Sequence, residues 1–278
     1  MKVCQISMSK DFNSEKAMQR CLKYRLRILE ISQNVGALHI GSAYSCTEIV
    51  DTIYNDLMKK NKKKLTDIFL MSKGHGCMIQ YVILEDLGIL KKDDIDSYCT
   101  KKGILGVHPD YGNPGIEAST GSLGHGLSLA VGMALAEKTG KLKKTIYTVL
   151  SDGEMQEGST WEAFMMASSL NANNLIAYID NNDFQSLGRT SVTHPSFYPL
   201  EEKLKSFGWD CFTVDGHNSK EIYDASLKKG NKPLALVCKT TKGKGISYME
   251  NIPIWHYRSP NKEEYEIGKK ELTKKIIS

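Results

Sequence analysis

The sequence predicts an α/β fold: a doubly wound, mainly parallel sheet flanked by helices. Short apolar runs of strand length alternate with segments of helical period along most of the 278 residues, the pattern of strands joined by helical crossovers. Four of these runs end in polar, mostly glycine-containing segments: SKGHG after 71, SDG after 150, Asn181-Asn182 after 180, and KTTKGKG after 238. In an open parallel sheet ligands bind beyond the carboxyl ends of the strands, so these segments are expected to converge on one site. No internal repeat or linker-like stretch divides the chain. One domain is therefore expected over 1–278, with 260–278 as a polar C-terminal tail of weak helical period.

The elements follow in order. Residues 14–35 form an amphipathic helix in which Met18, Cys21, Leu22, Ile28, Leu29 and Ile31 recur near helical spacing. Ser45 and Glu48 have the spacing of a capping box. The helix behind them carries Ile49, Val50, Ile53, Tyr54 and Leu57 on one face. DIFLM (67–71) is a short buried strand, and helices are expected at 76–87 and 92–99. The segment 106–126 is a long loop dense in glycine and proline, and loops of that length inside a compact domain are usually functional. A buried, glycine-tolerant helix spans 127–137. Strand 145–150, helix 159–170 and strand 175–180 come next, then a loop to about 198. Helix 200–206, strand 211–214, helix 219–229 and strand 234–238 complete the body.

Composition excludes several classes. A 41% hydrophobic and 25% charged chain is ordinary for a globular protein, and no apolar stretch approaches a membrane span. The N-terminal residues lack the apolar core of a signal peptide. The seven cysteines (4, 21, 46, 77, 99, 211 and 238) are scattered, with no CxxC pair, and read as reduced thiols of a cytoplasmic protein. The net charge of +5 comes largely from lysine runs such as KKNKKK (59–64). A solvated loop is the expectation there, because no aromatic residues interleave with the lysines as single-strand binding requires.

The chemistry concentrates in SDGEMQEG (151–158), directly after TIYTVL, and in Asp180-Asn181-Asn182, at the end of LIAYID. Asp152 and Asn182 are 30 positions apart, each at the end of a predicted parallel strand. Mg²⁺ takes hard oxygen ligands and usually shares its shell with substrate phosphates. A carboxylate, an amide oxygen and a backbone carbonyl would leave room for two phosphate oxygens and a water. Gly153 lets the backbone approach a phosphate closely.

An acidic-glycine turn, helix, strand and Asn pair in this order resemble the metal and diphosphate signature of thiamine diphosphate enzymes. From about 20 to about 260 the chain resembles the N-terminal half of a transketolase. The resemblance implies thiamine diphosphate with Mg²⁺ (or Ca²⁺) held by Asp152, Asn182 and the Phe184 carbonyl. Gly153 and Glu154 would give backbone contacts to the diphosphate, and His75, within SKGHG, would touch it as well. Gly121, Leu123 and Gly124, in TGSLGHG, match a loop covering the cofactor. His39, His108 and His256 match three histidines lining the substrate channel, suited to moving protons on hydroxyl and carbonyl oxygens. Glu157 matches an interface glutamate that links two cofactors. Ser151, His125 and Leu187 depart from the usual pattern.

The resemblance further implies transfer of a two-carbon ketol unit from a ketose to an aldose, with sugar or sugar-phosphate substrates. The family's cofactor-activating glutamate and its sugar-phosphate arginines belong to a following domain. The chain is therefore expected to be the N-terminal subunit of a split enzyme, pairing with a C-terminal transketolase subunit in a heterotetramer and binding neither nucleic acid nor membrane. The alternatives are a decarboxylase or 1-deoxyxylulose-phosphate-synthase-like subunit that uses a 2-oxo acid, or a catalytically silent regulatory subunit.

Overall fold

The computed structural model describes residues 12–36, 38–61, 64–140, 143–186 and 188–277. Two strands, β1 (Lys60–Asn61) and β2 (Lys64–Leu65), form a short antiparallel pair, so the lysine run expected as a loop is partly strand. The main sheet consists of β3 (Ile68–Met71), β4 (Ile146–Ser151), β5 (Leu175–Asn181), β8 (Asp210–Asp215) and β9 (Leu234–Lys239). All its pairings are parallel and its order is β3-β4-β5-β9-β8. A second small antiparallel pair, β6 (Phe184–Gln185) with β7 (Gly188–Arg189), lies in the loop after β5.

Helices cover both faces, which is why the strands read as continuous apolar runs. Alternate strand residues enter two cores. Tyr147, Val149, Ile176, Tyr178, Leu234 and Leu236 face one side. There they meet α1 (Ser14–Ile31), α3 (Thr47–Thr52), α4 (Met78–Asp86) and α10 (Ser219–Ser226). Ile146, Leu150, Leu175, Ala177 and Ile179 face α6 (Gly126–Thr139), α7 (Gly158–Ser169) and α9 (Leu200–Ser206) on the other. Each fully buried Leu or Ile contributes roughly 1.5–3 kcal/mol. The short helices α2 (Ile40–Ser45), α5 (Lys92–Asp96) and α8 (Thr190–Thr193) complete the chain up to α11 (Lys262–Ile277).

Three expectations are corrected. The segment expected as a polar tail, 260–278, is largely helix: α11 packs along α1 over the described residues, with Leu272 fully buried. Ser45 does not cap a helix. It ends α2, and its hydroxyl donates to Asp180 at 2.5 Å, while Glu48 accepts two bonds from Arg25. The first helix stops at Ile31 rather than 35, where Ser32 closes its last turn through bonds to Ile28 and Leu29.

The register positions the site. Ser151 lies opposite Asp180, Asp180 opposite Cys238, and Asn181 opposite Lys239. The carboxyl ends of β4, β5 and β9 thus lie side by side, and the SKGHG turn follows β3 next to them.

Candidate active site

A cavity of about 620 Å³ opens at these carboxyl ends. His39, His75, His108, Gly121, Leu123, Gly153, Glu157, Phe184 and His256 line it, with Ser151, Gln156, Gln185 and Thr193. The larger cavity of about 690 Å³ lies elsewhere, around Lys16, Arg20 and Asp86. It contains none of the predicted chemistry, so size is a poor guide here.

Asp152 is fully buried. Its Oδ1 accepts the Gly153 N–H at 2.9 Å and its Oδ2 the Asp183 N–H at 2.6 Å, with the Thr190 and Tyr198 hydroxyls at 3.5 and 3.4 Å. All these partners are neutral. Burial, followed by the nearby Asp180 charge, pushes the Asp152 carboxyl up to about 7. A buried carboxylate without a paired cation is costly, and a divalent ion would remove that cost. The Asn182 amide donates to Asp180 at 3.1 Å, which fixes its orientation, and its Oδ1 accepts the Phe184 N–H at 3.0 Å. A Cβ added to Gly153 would lie 3.8 Å from the Phe184 carbonyl oxygen and 3.1 Å from Gln185 Cβ. The bare glycine thus keeps a narrow space beside that oxygen. No group of three or more His, Cys, Asp and Glu able to hold a metal occurs among the described residues. The groups that Asp152, Asn182 and Phe184 could offer are instead carboxylate, amide and carbonyl oxygens, hard ligands of the kind that Mg²⁺ or Ca²⁺ takes.

The cover over the cavity is built from glycines. Gly121 (φ +125°) lies so close to His108 that a Cβ would meet the ring at 2.6 Å. Gly124 (φ +84°) packs against Glu157 and Ser159. The Thr120 hydroxyl donates to the Met71 carbonyl at 2.6 Å, tying the cover to the end of β3. The Glu154 carboxylate accepts from Ser72 and the Gly124 N–H, while its own N–H donates to Ser151. Glu154 therefore joins the turn to the cover, and its N–H does not point outward as expected for a diphosphate contact. Ser151, one of the departures, supplies the hydroxyl that holds the turn. His125 precedes α6 and is exposed, with Nδ1 3.0 Å from the Leu123 carbonyl. Glu157 is exposed at the start of α7. Leu187 lies outside the described residues.

Four imidazoles form one cluster. The ring centre of His39 lies 5.6 Å from His75, 6.1 Å from His108 and 5.4 Å from His256. Burial, then neighbouring His108 and Lys242, lowers the His39 pKa to about 4. Burial and Lys242 lower that of His256 to about 3. Burial also lowers His108, and holds His75 well below the ordinary value. The unfolded imidazoles protonate near 6.5. Neutral burial therefore contributes stability fully above that pH, and the contribution fades as pH falls towards 4. Titration followed by NMR is expected to show no inflection for His39 or His256 between pH 8 and 5; an ordinary inflection near 6.5 would contradict their burial as neutral rings.

Two lysines escaped the sequence reading. Lys73 is fully buried and forms an ion pair with Asp180, which also accepts from Ser45, Asn182 and Thr240. Burial opposes the Lys73 charge, but Asp180 keeps its pKa raised. Lys242 is also buried, its Nζ 2.5 Å from His256 Nδ1. Burial and the Lys73 charge bring its pKa down to about 8. Since the ammonium donates, His256 Nδ1 accepts and the His256 proton sits on Nε2. The available signal was a lysine within three residues of a strand end, in SKGHG and in TTKGKG.

The carboxyl edge of this α/β sheet thus carries buried oxygen donors beside a histidine-lined cavity, where open parallel sheets bind ligands. The family model described as "Transketolase, thiamine diphosphate binding domain" matches residues 18–273, and the chain belongs to this family of ketol transferases, as its N-terminal, cofactor-binding part. It is 39% identical over 261 residues to an apulose-4-phosphate transketolase subunit of Phocaeicola vulgatus, covering 91% of this chain and 92% of that protein. It is 36% identical to the 6-deoxy-6-sulfo-D-fructose transketolase subunit of a Clostridium species, covering 90% and 93%. Among solved structures, transketolase from Leishmania mexicana superposes with TM-score 0.82 at 26% identity, over 94% of this chain and 41% of that one. That from Campylobacter jejuni gives 0.85 at 24%, which supports the fold alone.

Proposed function

We propose that this chain is the cofactor-holding subunit of a two-subunit transketolase and works with a C-terminal partner that completes the site. The observation that carries this is the buried Asp152 carboxylate with only neutral partners, beside an oriented Asn182 amide and the Phe184 carbonyl. These three groups would hold Mg²⁺ (or Ca²⁺), and the ion would fix the diphosphate of thiamine diphosphate. When bound, the cofactor supplies the carbon nucleophile on which ketol transfer depends. Gly153, with His75 and the Gly121–Gly124 cover, shapes the space around the diphosphate. The Lys242 ammonium adds positive charge close to Asp152.

The neutral His39, His108 and His256 face the cavity as proton donors and acceptors towards the oxygens of a polyhydroxylated substrate. His256, with its proton on Nε2, is set as a donor. Relatives of nearly the same length are themselves named as transketolase subunits, which supports a separate partner chain. Exposed Glu157 and the outer surface of the 106–126 loop would pack against other chains in a heterotetramer. No described helix is long and apolar enough to cross a membrane; a cytoplasmic setting rests on the cysteine pattern. The relatives' names support sugar-phosphate or sulfosugar substrates as the class to assay. Calorimetry should show thiamine diphosphate binding in Mg²⁺ that is abolished by EDTA and restored by excess Mg²⁺. Equal affinity in EDTA would contradict the metal assignment.

A further inference from the structure

The loop after β9 brings Lys242 into the site, and a hydrogen-bonded chain reaches it from the far side of the sheet edge. His217 sits in the turn after β8. Its Nε2 accepts the Thr241 N–H at 2.8 Å and its Nδ1 lies 3.0 Å from Glu48 Oε2. A backbone N–H can only donate, so Nε2 carries no proton; Nδ1 does, and donates to the carboxylate. The tautomer is thereby fixed. Glu48 in turn accepts from both terminal nitrogens of buried Arg25, at 2.6 and 2.7 Å, and Arg25 also donates to the Tyr44 carbonyl. Burial disfavours the Glu48 charge, yet Arg25 and His217 hold its pKa down at about 2. The turn itself is pressed onto the loop. A Cβ on Gly216 would meet Thr240 Cγ2 at 2.3 Å and the Lys239 carbonyl oxygen at 2.9 Å.

The loop is also held by backbone bonds, from Gly243 N–H to the Gly41 carbonyl and from Asn251 N–H to the Lys242 carbonyl, by the Thr240 hydroxyl on Asp180, and by Lys275, which donates to the Gly245 carbonyl. Lys242 then runs past Gly41 to His256. Moving the Thr241 amide would therefore shift the backbone that carries the Lys242 ammonium to His256.

We propose that His217 is a positioning residue of the cofactor site: as the Nδ1–H tautomer it ties Thr241 to the Glu48–Arg25 pair and so sets the backbone from which Lys242 enters. This rests on the proposed function, in which the Lys242 ammonium adds positive charge close to Asp152.

The test uses the full chain reconstituted with its C-terminal partner, and reads the dissociation constant of thiamine diphosphate in Mg²⁺. His217→Asn places an amide near the Nδ1 position, so it can still reach Glu48 but not Thr241. His217→Gln reaches as far as Nε2 and can accept from Thr241. Asn is expected to weaken binding roughly ten-fold, as loss of an outer partner of a metal or phosphate site does, and Gln to stay within about three-fold of wild type. Combined with Lys242→Met, His217→Asn should add nothing, because residues acting through one another are not additive. Wild-type affinity in His217→Asn, equal losses in Asn and Gln, or additive losses in the double variant would each overturn the proposal. A reconstituted wild type that binds no cofactor would instead contradict the proposed function, and this inference with it.

Discussion

Asp152→Ala is expected to abolish Mg²⁺-dependent thiamine diphosphate binding while leaving the chain folded. The carboxylate is the one full negative charge among the three proposed ligands, and its burial with neutral partners means that nothing else on its own turn replaces it. Removing one member of a buried charge pair costs about 2–5 kcal/mol, so the affinity loss is roughly 30-fold at the least. Asn182→Ala removes a neutral ligand that water can replace, and its loss should be smaller. Calorimetry on both variants, with circular dichroism to verify folding, provides the comparison. Unchanged affinity in Asp152→Ala would remove Asp152 from the metal site.

His39→Ala and His256→Ala are expected to lower ketol-transfer turnover far more than cofactor affinity. Both rings line the cavity, both are neutral, and neither is placed as a ligand of the metal. Their expected partners are substrate oxygens on which charge develops, where one lost donor costs about 10²–10³ in rate. His256 should show the larger loss, because Lys242 already fixes its proton on Nε2. Steady-state turnover and cofactor titration on the same samples separate the two effects. Unaltered turnover in both variants would leave these histidines with a structural role.

The fold was legible because the strands are buried on both faces. LIAYID and LALVC are apolar at nearly every position, and no helical period competes with them. The C-terminal helix was not legible in the same way. Gly268 and Leu272 are its only fully buried positions among the described residues, too few for a clear amphipathic stripe. Long-range contacts hold it instead: α1 along its length, and Ser247 bonded to Glu271. Ser45 and Glu48 show the opposite failure. Their spacing fits a local motif, but Ser45 bonds to Asp180, 135 positions away, and Glu48 to His217, 169 positions away.

The site divides along the same line. Asp152 and Asn182 are visible because an acidic-glycine turn and an Asn pair stand out at strand ends, His75 because glycines flank it, and His39, His108 and His256 through the resemblance to transketolases. Lys73 and Lys242 are not, since a lysine normally signals solvent. Only the fold reveals that Asp180 compensates Lys73, and that Lys242 is kept among Gly41, Lys73, Asp152, Asp180 and His256, which are far apart in the sequence. Glu154 was read for its backbone, whereas its carboxylate makes the contact that matters in the structure.

The central claim is that this chain holds the metal and diphosphate but needs another subunit for turnover. The most direct measurement is ketol transfer from a ketose phosphate to an aldose acceptor in the presence of thiamine diphosphate and Mg²⁺, assayed for the purified chain, for its C-terminal partner, and for the two mixed. The account predicts no turnover from either alone and transfer from the mixture, saturating at one partner per chain. Robust transfer by this chain in a preparation free of any partner would contradict it.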